Sequence, residues 1–268
     1  MSNLQMPSMG LGTFRLSGTQ LTQAIHHALD LGFRHIDTAQ IYDNEAEVGQ
    51  AIADSSIKRE DIFITTKVWI DNLHPDKFMA SVEKSLEKLQ TDYVDLLLIH
   101  WPSPKGKVAM EDYMTELNNC KFKGMTRAIG VSNFTPQLLE QAFACIAKES
   151  IEINQVEVHP YFQNQHLVNY CQTNGVDVVG YMPLGNKQIL DDEVLKALAK
   201  KYDKSVAQIA LAWQIQQNIA TIPASTSKDH LQENLEASEL RLTPEDMAAI
   251  AKLDTGQRLI DPGFAPNW

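Results

Sequence analysis

The sequence predicts an α/β fold, a (β/α)8 TIM barrel. Three observations carry that reading. Eight short segments are apolar on both faces, as the strands of a helix-covered parallel sheet are. Amphipathic helical patterns separate them. The chain has 268 residues, which allows about 33 for each of eight strand–helix units, the size of such a repeat.

The expected strands are 8–14, 34–39, 62–69, 93–101, 128–133, 153–158, 176–184 and 219–225. After the first, Leu21, Ala24, Ile25, Ala28 and Leu29 form a helical stripe. A weaker pattern at 45–54 follows the second strand. Pro75 opens a clear helix with Phe78, Val82, Leu86 and Leu89 on one face. Weaker helices fit 108–120, 135–147, 164–173 and 228–237. Ser205 caps a helix whose buried face carries Val206, Ile209, Ala210 and Trp213. Two helices exceed the alternation. One covers 191–201, and the other starts at the Thr243-Pro244-Glu245-Asp246 cap and runs to Leu253. The segment 254–268 has two prolines and no stripe, so it reads as a loop laid over the body. No Gly/Ser linker or charge block divides 1–268, which is read as one domain.

Lys and Arg total 23 against 34 Asp and Glu, a formal charge of −11. Such a chain, without basic runs, is a poor partner for nucleic acid or an anionic membrane. No apolar run approaches the ~20 residues of a membrane span. Residues 1–7 have no basic region followed by an apolar core, so no signal peptide is expected. Cys120, Cys145 and Cys171 are odd in number and widely spaced, which fits buried thiols in the cytoplasm. Asn133-Phe134-Thr135 matches a glycosylation triplet that such a location makes moot.

A barrel carries its site at the C-terminal ends of its strands. The second expected strand ends at Asp37 and leads to Tyr42. The third carries Lys67, and the fourth ends in His100-Trp101. Ser132-Asn133, Asn154-Gln155, Tyr181 and Ser225 follow on the later strands. Singly, each has a structural reading: Asp37 caps a turn, Tyr42 or His100 packs in the core, Lys67 snorkels to solvent. Together they would be costly to bury unless they satisfy one another and bind something. A phenol beside an ammonium has its pKa lowered. A carboxylate holds the ammonium and moderates its effect, and an imidazole donates to a carbonyl oxygen. That set can protonate a carbonyl oxygen as hydride reaches its carbon. No HxxE, HxH or CxxC spacing points to a metal. Two other readings stay open: a Schiff-base aldolase with Lys67 as nucleophile, and a non-catalytic cofactor-binding barrel.

Six motifs resemble the aldo-keto reductases, in that family's order along essentially the whole chain. They are Gly10-Leu11-Gly12-Thr13-Phe14, His35-Ile36-Asp37-Thr38-Ala39-Gln40-Ile41-Tyr42, Ile64-Thr65-Thr66-Lys67-Val68-Trp69, Leu98-Ile99-His100-Trp101-Pro102, Gly130-Val131-Ser132-Asn133-Phe134 and Asn154-Gln155-Val156-Glu157-Val158-His159-Pro160. The overall likeness is to the bacterial branch reducing diketogluconate and methylglyoxal. The resemblance implies an NADPH-dependent reductase of small carbonyl compounds, a monomer, with NADH as a second cofactor. It implies Tyr42 as proton donor, with Asp37, Lys67 and His100 completing a tetrad. Ser132, Asn133 and Gln155 would hold the nicotinamide carboxamide, and Tyr181 would stack on its ring. Leu184 and Gly185 would follow the pyrophosphate. Ser225, Thr226, Lys228, His230 and Asn234 would lie near the adenosine. Gly12, Thr13 and Phe14 would line the cofactor–substrate junction, and Trp69 and Trp101 the substrate pocket.

Several departures from the family pattern stand out. Most of the hairpin that precedes the first strand is missing. The loop after Gly185 is short, and the tail 261–268 is short enough to leave an open pocket. Ala224 and His230 stand where the family often has a lysine and an arginine for the adenosine 2′-phosphate. Lys105, Lys107 and Arg258 lie in segments that could bring a cation over the pocket, though each reads equally as a solvated loop residue.

Overall fold

The computed structural model describes residues 5–268. Eight strands appear in the expected order: β1 (Leu11–Gly12), β2 (His35–Asp37), β3 (Phe63–Val68), β4 (Val94–Ile99), β5 (Thr126–Ser132), β6 (Ile151–Glu157), β7 (Asp177–Tyr181) and β8 (Ile219–Thr221). They are hydrogen-bonded in sequence order, all in parallel. The sheet closes on itself. Met9 bridges Thr221 in parallel, and Gly12 N donates to Pro223 O at 3.1 Å. Gly12 is needed at that seam, because a Cβ there would lie 2.6 Å from Ile222 O.

The helices are α1 (Gly18–Leu31), α2 (Glu45–Ala53), α3 (Pro75–Leu89), α4 (Met110–Phe122), α5 (Pro136–Cys145), α6 (Gln165–Thr173), α7 (Glu193–Tyr202), α8 (Val206–Gln216), α9 (Lys228–Glu236) and α10 (Pro244–Ala251). The stripe read for α1 is the face it buries: Leu21, Ala24, Ile25, Ala28 and Leu29. Ser205 and Gln208 form a reciprocal capping box on α8. The Thr243 hydroxyl accepts from Asp246 N at the start of α10. The two helices beyond the alternation are α7 and α10.

Six strands are shorter than the sequence suggests, three of them by four residues or more. Regular pairing of β7 stops at Tyr181, because Met182 turns left-handed at φ 52°. The eighth strand stops at Thr221, two residues before Pro223, which has no N–H to donate. Ser225 therefore sits in the following loop and not at a strand end. The first strand is reduced to two paired residues and the Met9 bridge. The expectations of no signal peptide and of a missing hairpin turn in part on residues 1–4, which lie outside the described residues; residues 5–7 are irregular. Among the described residues no helix is long and apolar enough to cross a membrane. All three cysteines are free, but Cys145 is only half-buried.

Two apolar cores result. One fills the space between sheet and helices. The other lies inside the barrel, where Phe63, Leu96, Leu98, Ala128, Ile153 and Val179 meet. Strand side chains alternate between these two cores. Leu96 and Leu98 point inward on β4, so His100 continues that face above them. Phe63 and Lys67 share a face on β3, as do Ile153, Gln155 and Glu157 on β6. The inward face thus turns from apolar to polar toward the C-terminal ends.

His35 is a buried exception low in the barrel. Its Nε2 lies 3.1 Å from Thr65 Oγ1, and a Cβ on Gly10 would lie 2.6 Å from its Nδ1. Burial pulls its pKa down to about 4, partly offset by Asp37. The unfolded imidazole takes a proton near pH 6.5, but the folded one resists until about pH 4. Between these values the unfolded chain holds the extra proton, so stability falls as pH falls. The loss should begin below pH 6.5, be complete near pH 4 and reach about 3 kcal/mol. Urea unfolding against pH checks this: His35→Leu should flatten the slope in that window, and an unchanged slope would assign it to other groups.

Candidate active site

The inward ends of the strands open into one cavity of about 640 Å³. Its wall includes Gly12, Phe14, Asp37, Tyr42, Trp69, His100, Trp101, Ser132, Asn133, Gln155, Tyr181 and Leu184, all expected from the sequence.

At its base Lys67 and Asp37 form a fully buried ion pair. Lys67 Nζ lies 2.6 Å from Asp37 Oδ1 and donates to Thr38 O at 2.8 Å. Gln155 Nε2 donates to the other carboxylate oxygen, Oδ2, at 2.7 Å. Burial pulls the Lys67 ammonium down, and the Asp37 carboxylate pushes it back up. The lysine is 0% exposed and does not reach the cavity wall, unlike Asp37. That placement removes the access a Schiff-base nucleophile needs.

Tyr42 lies in a short 3-10 turn (Gln40–Tyr42) beyond β2, held by a backbone bond from its N to Ala39 O. Its ring packs against Phe14, His100 and the Lys67 ammonium, the last 5.1 Å from the ring centre. The net shift of this phenol runs opposite to the one a neighbouring ammonium favours. Burial raises Tyr42 well above its ordinary value, with Asp37 and Tyr181 adding to the rise. The Asp37 carboxylate moderates the positive charge next to the ring, as expected of it.

His100 is held well below its ordinary pKa by burial and by Lys67, so it is neutral at pH 7. Its Nδ1 is buried with no partner. An unpartnered acceptor costs less than an unpartnered N–H, so the proton belongs on Nε2. Nε2–H is then the nitrogen free to donate. A neutral imidazole donor, a protonated phenol and a matched ion pair can together protonate a carbonyl oxygen.

A polar shelf lies opposite. Ser132 Oγ donates to Gln155 O at 2.7 Å, and Asn133 Nδ2 donates to His100 O and Ser132 Oγ, both at 3.0 Å. Tyr181 OH donates to Asn133 Oδ1 at 2.8 Å. Asn133 is turned into position by a φ of 63°. Its side chain is buried, so the glycosylation triplet is spent on this shelf.

Other expected residues stand apart from the cavity. Thr13 is buried behind it, donating through Oγ1 and N to Asp37 O. Gly185 faces His159. Ser225, Thr226, Lys228, His230 and Asn234 lie past its far end, where Pro223 and Ala224 mark the edge. Ser225 Oγ and Ser227 shape this turn, and the Ser227 hydroxyl caps α9 through His230 N. Lys228 and His230 are exposed on the first turn.

Of the three cations in segments that could reach the pocket, two are solvated loop residues and one lies behind its wall, 5.8 Å from the Trp101 ring centre. Lys105 and Lys107 are exposed loop residues away from the cavity. Arg258 is tucked under the tail, 4.3 Å from the Trp268 ring centre and 3.3 Å from Asp261. Arg15 and Lys187 line the cavity instead, each at positive φ. Lys187 ends a run of left-handed residues with Gly185 and Asn186, so the short loop puts a charge at the rim. The tail also does more than the sequence suggested. Leu259–Phe264 supply one wall, and the Phe264 ring meets Trp69 and Trp101 edge-on at 6.0 and 5.6 Å. The pocket is capped there rather than open.

A model of the aldo/keto reductase family matches residues 8–255. Methylglyoxal reductase DkgB of Escherichia coli O157:H7 is 47% identical over 266 residues, covering 99% of this chain and all of that protein. Glyoxal reductase of Bacillus subtilis (strain 168) is 40% identical, covering 96% of this chain and 92% of its own. The crystal structure of a candidate 2,5-diketo-D-gluconic acid reductase B superposes with a TM-score of 0.94 at 41% identity, over 98% of this chain and 94% of that one.

Proposed function

Because the chain belongs to the aldo/keto reductase family, we propose that it reduces small aldehydes and ketones to alcohols with a nicotinamide cofactor. Methylglyoxal and keto sugar acids such as 2,5-diketo-D-gluconate are the substrates of first choice. The observation that carries this reading is the meeting of Tyr42 and His100, ring centres 5.6 Å apart, in front of the buried Lys67–Asp37 pair.

The residues present fit the cofactor. Ser132, Asn133 and Gln155 offer amide and hydroxyl groups matched to a carboxamide, beside the flat face of Tyr181. When bound, the cofactor supplies the hydride. The protein does the rest. His100 Nε2–H orients the carbonyl oxygen, and Tyr42 delivers its phenolic proton to that oxygen as charge builds there. Asp37 keeps Lys67 in place, and Gln155 keeps Asp37 in place. Phe14, Trp69 and Trp101 exclude water from the reacting carbon.

NADPH is the first cofactor, with substantial use of NADH. Ala224 supplies no charge at the far edge, and His230 is a poorer phosphate partner than a bidentate arginine. Lys228 and the N-terminus of α9 compensate in part. The NADPH preference is therefore expected to stay below ~10³-fold, about 4 kcal/mol. We place the enzyme in the cytoplasm, in keeping with its free thiols, and take it as a monomer on the family resemblance.

One experiment tests the proposal: the loss of reduced-nicotinamide absorbance with NADPH and with NADH, against methylglyoxal, glyceraldehyde and 2,5-diketogluconate. Turnover of at least one is expected. Inactivity with all of them sinks the reading.

A further inference from the structure

Glu157 is the last residue of β6, two positions beyond Gln155, so it faces inward at the rim. Its side chain is 1% exposed. Oε1 accepts from Leu259 N at 2.7 Å and from His159 Nε2 at 3.0 Å, and Oε2 accepts from Ile260 N at 2.8 Å. A buried carboxylate thus holds two successive amides of the C-terminal segment. Such charge-assisted bonds are short and costly to break.

The tail is tied down on either side of this point. Tyr161 O accepts from Thr255 N and Gln257 N, both at 3.1 Å, and Trp268 Nε1 donates to Asn164 Oδ1 at 2.5 Å. Those bonds are at the surface. Glu157 alone among these tail contacts is a buried ionic anchor, and it lies just before the stretch that walls the cavity. Four residues on from Ile260, Phe264 reaches Trp69 and Trp101. With residues 259 and 260 fixed by one carboxylate, the direction of the chain and the seat of Phe264 are fixed too.

We propose that Glu157 is a positioning residue for substrate binding. By seating the 259–264 segment it sets Phe264 against the two tryptophans, and so tightens the pocket around small carbonyl substrates. The proposal rests on the reductase reading above. None of these bonds reaches the Tyr42–His100 pair or the Ser132–Asn133 shelf. The Glu157 charge is felt at Tyr181, its register partner on β7, but burial is the larger cause that keeps that phenol protonated, so the effect of losing Glu157 falls on substrate affinity.

Glu157→Gln presents one acceptor oxygen and sets an amide N–H2 against the second backbone donor. It should raise KM for methylglyoxal about tenfold, equivalent to ~1.4 kcal/mol. The kcat and the cofactor Kd should hold. Phe264→Ala should give the same KM shift, and the double variant should be no worse than either single one, since both remove one interaction chain. Hydrogen exchange at the Leu259 and Ile260 amides should quicken in Glu157→Gln. If that variant does not fold, Leu259→Pro removes one donated N–H while sparing the carboxylate, and the same KM shift is expected. An active wild type with an unchanged KM in the variant, or effects that multiply with Phe264→Ala, overturns the proposal and leaves the reductase reading standing. Wild-type inactivity on the carbonyl panel removes both.

Discussion

Tyr42→Phe is expected to lower kcat by about 10²–10⁴-fold, the usual worth of a general acid, while cofactor affinity stays within a factor of two or so. The substitution keeps the ring contacts to Phe14 and His100 and removes only the hydroxyl. The pocket wall is thus preserved, and the loss falls on proton delivery. The electrostatics add a pH signature. Burial, Asp37 and Tyr181 all raise the phenol. Tyr42 therefore stays protonated through neutral pH, and no loss of reduction rate from its ionisation is expected between about pH 6 and 9. The reverse reaction needs the phenolate and is disfavoured over the same range. Single-turnover rates with cofactor binding followed separately would check this. Retained turnover in Tyr42→Phe would move the proton to another donor.

The second large effect concerns the ion pair. Lys67→Met leaves Asp37 buried with Gln155 as its remaining side-chain partner. Asp37→Asn leaves the buried ammonium without its direct partner, with only the more distant Glu45 carboxylate to balance it. Removing one partner of a buried pair typically costs about 3–5 kcal/mol, so each single variant should lose that much in urea unfolding. The double variant Asp37→Asn with Lys67→Met should lose less than the two combined, because it strands no charge. Activity should fall in all three. The positive charge at 5.1 Å from the Tyr42 ring, or its counterion, is missing in each. Additive stability losses would show that the two side chains are not coupled.

Much of the fold and the site could be read from the residues. The eight strands and their order were visible because each is apolar on both faces, and Ser205 and Thr243 announced two helix starts. Asp37, Tyr42, Lys67 and His100 were visible as expensive residues at strand ends. Glu157 obeys the same two-residue rhythm as Gln155, but a glutamate near a loop reads as solvated until the donors it accepts from are known. Phe264 lies between two prolines in a segment without periodicity, and its contacts are to residues far back in the chain. No local pattern encodes such a meeting. Arg15 and Lys187 reach the cavity through left-handed backbone, which non-glycine residues rarely announce. The direction of the Tyr42 shift also needed geometry, because it is set first by how deeply the phenol is buried and then by Asp37 and Tyr181 beside it.

The seam between β1 and β8 has a consequence for synthesis. Its partners, Met9 and Thr221, lie about 200 residues apart. A growing chain can pair β1 through β7 as they emerge, yet the ring cannot shut until nearly the whole message has been translated. Contacts of such long sequence separation are slow to form. Until then the edges of β1 and β7 stand open, and an unpaired parallel edge invites other chains. The window of vulnerability for this protein is thus the interval before its eighth strand leaves the ribosome. Stalling or truncation short of Thr221 should yield aggregates rather than a smaller, partly active barrel.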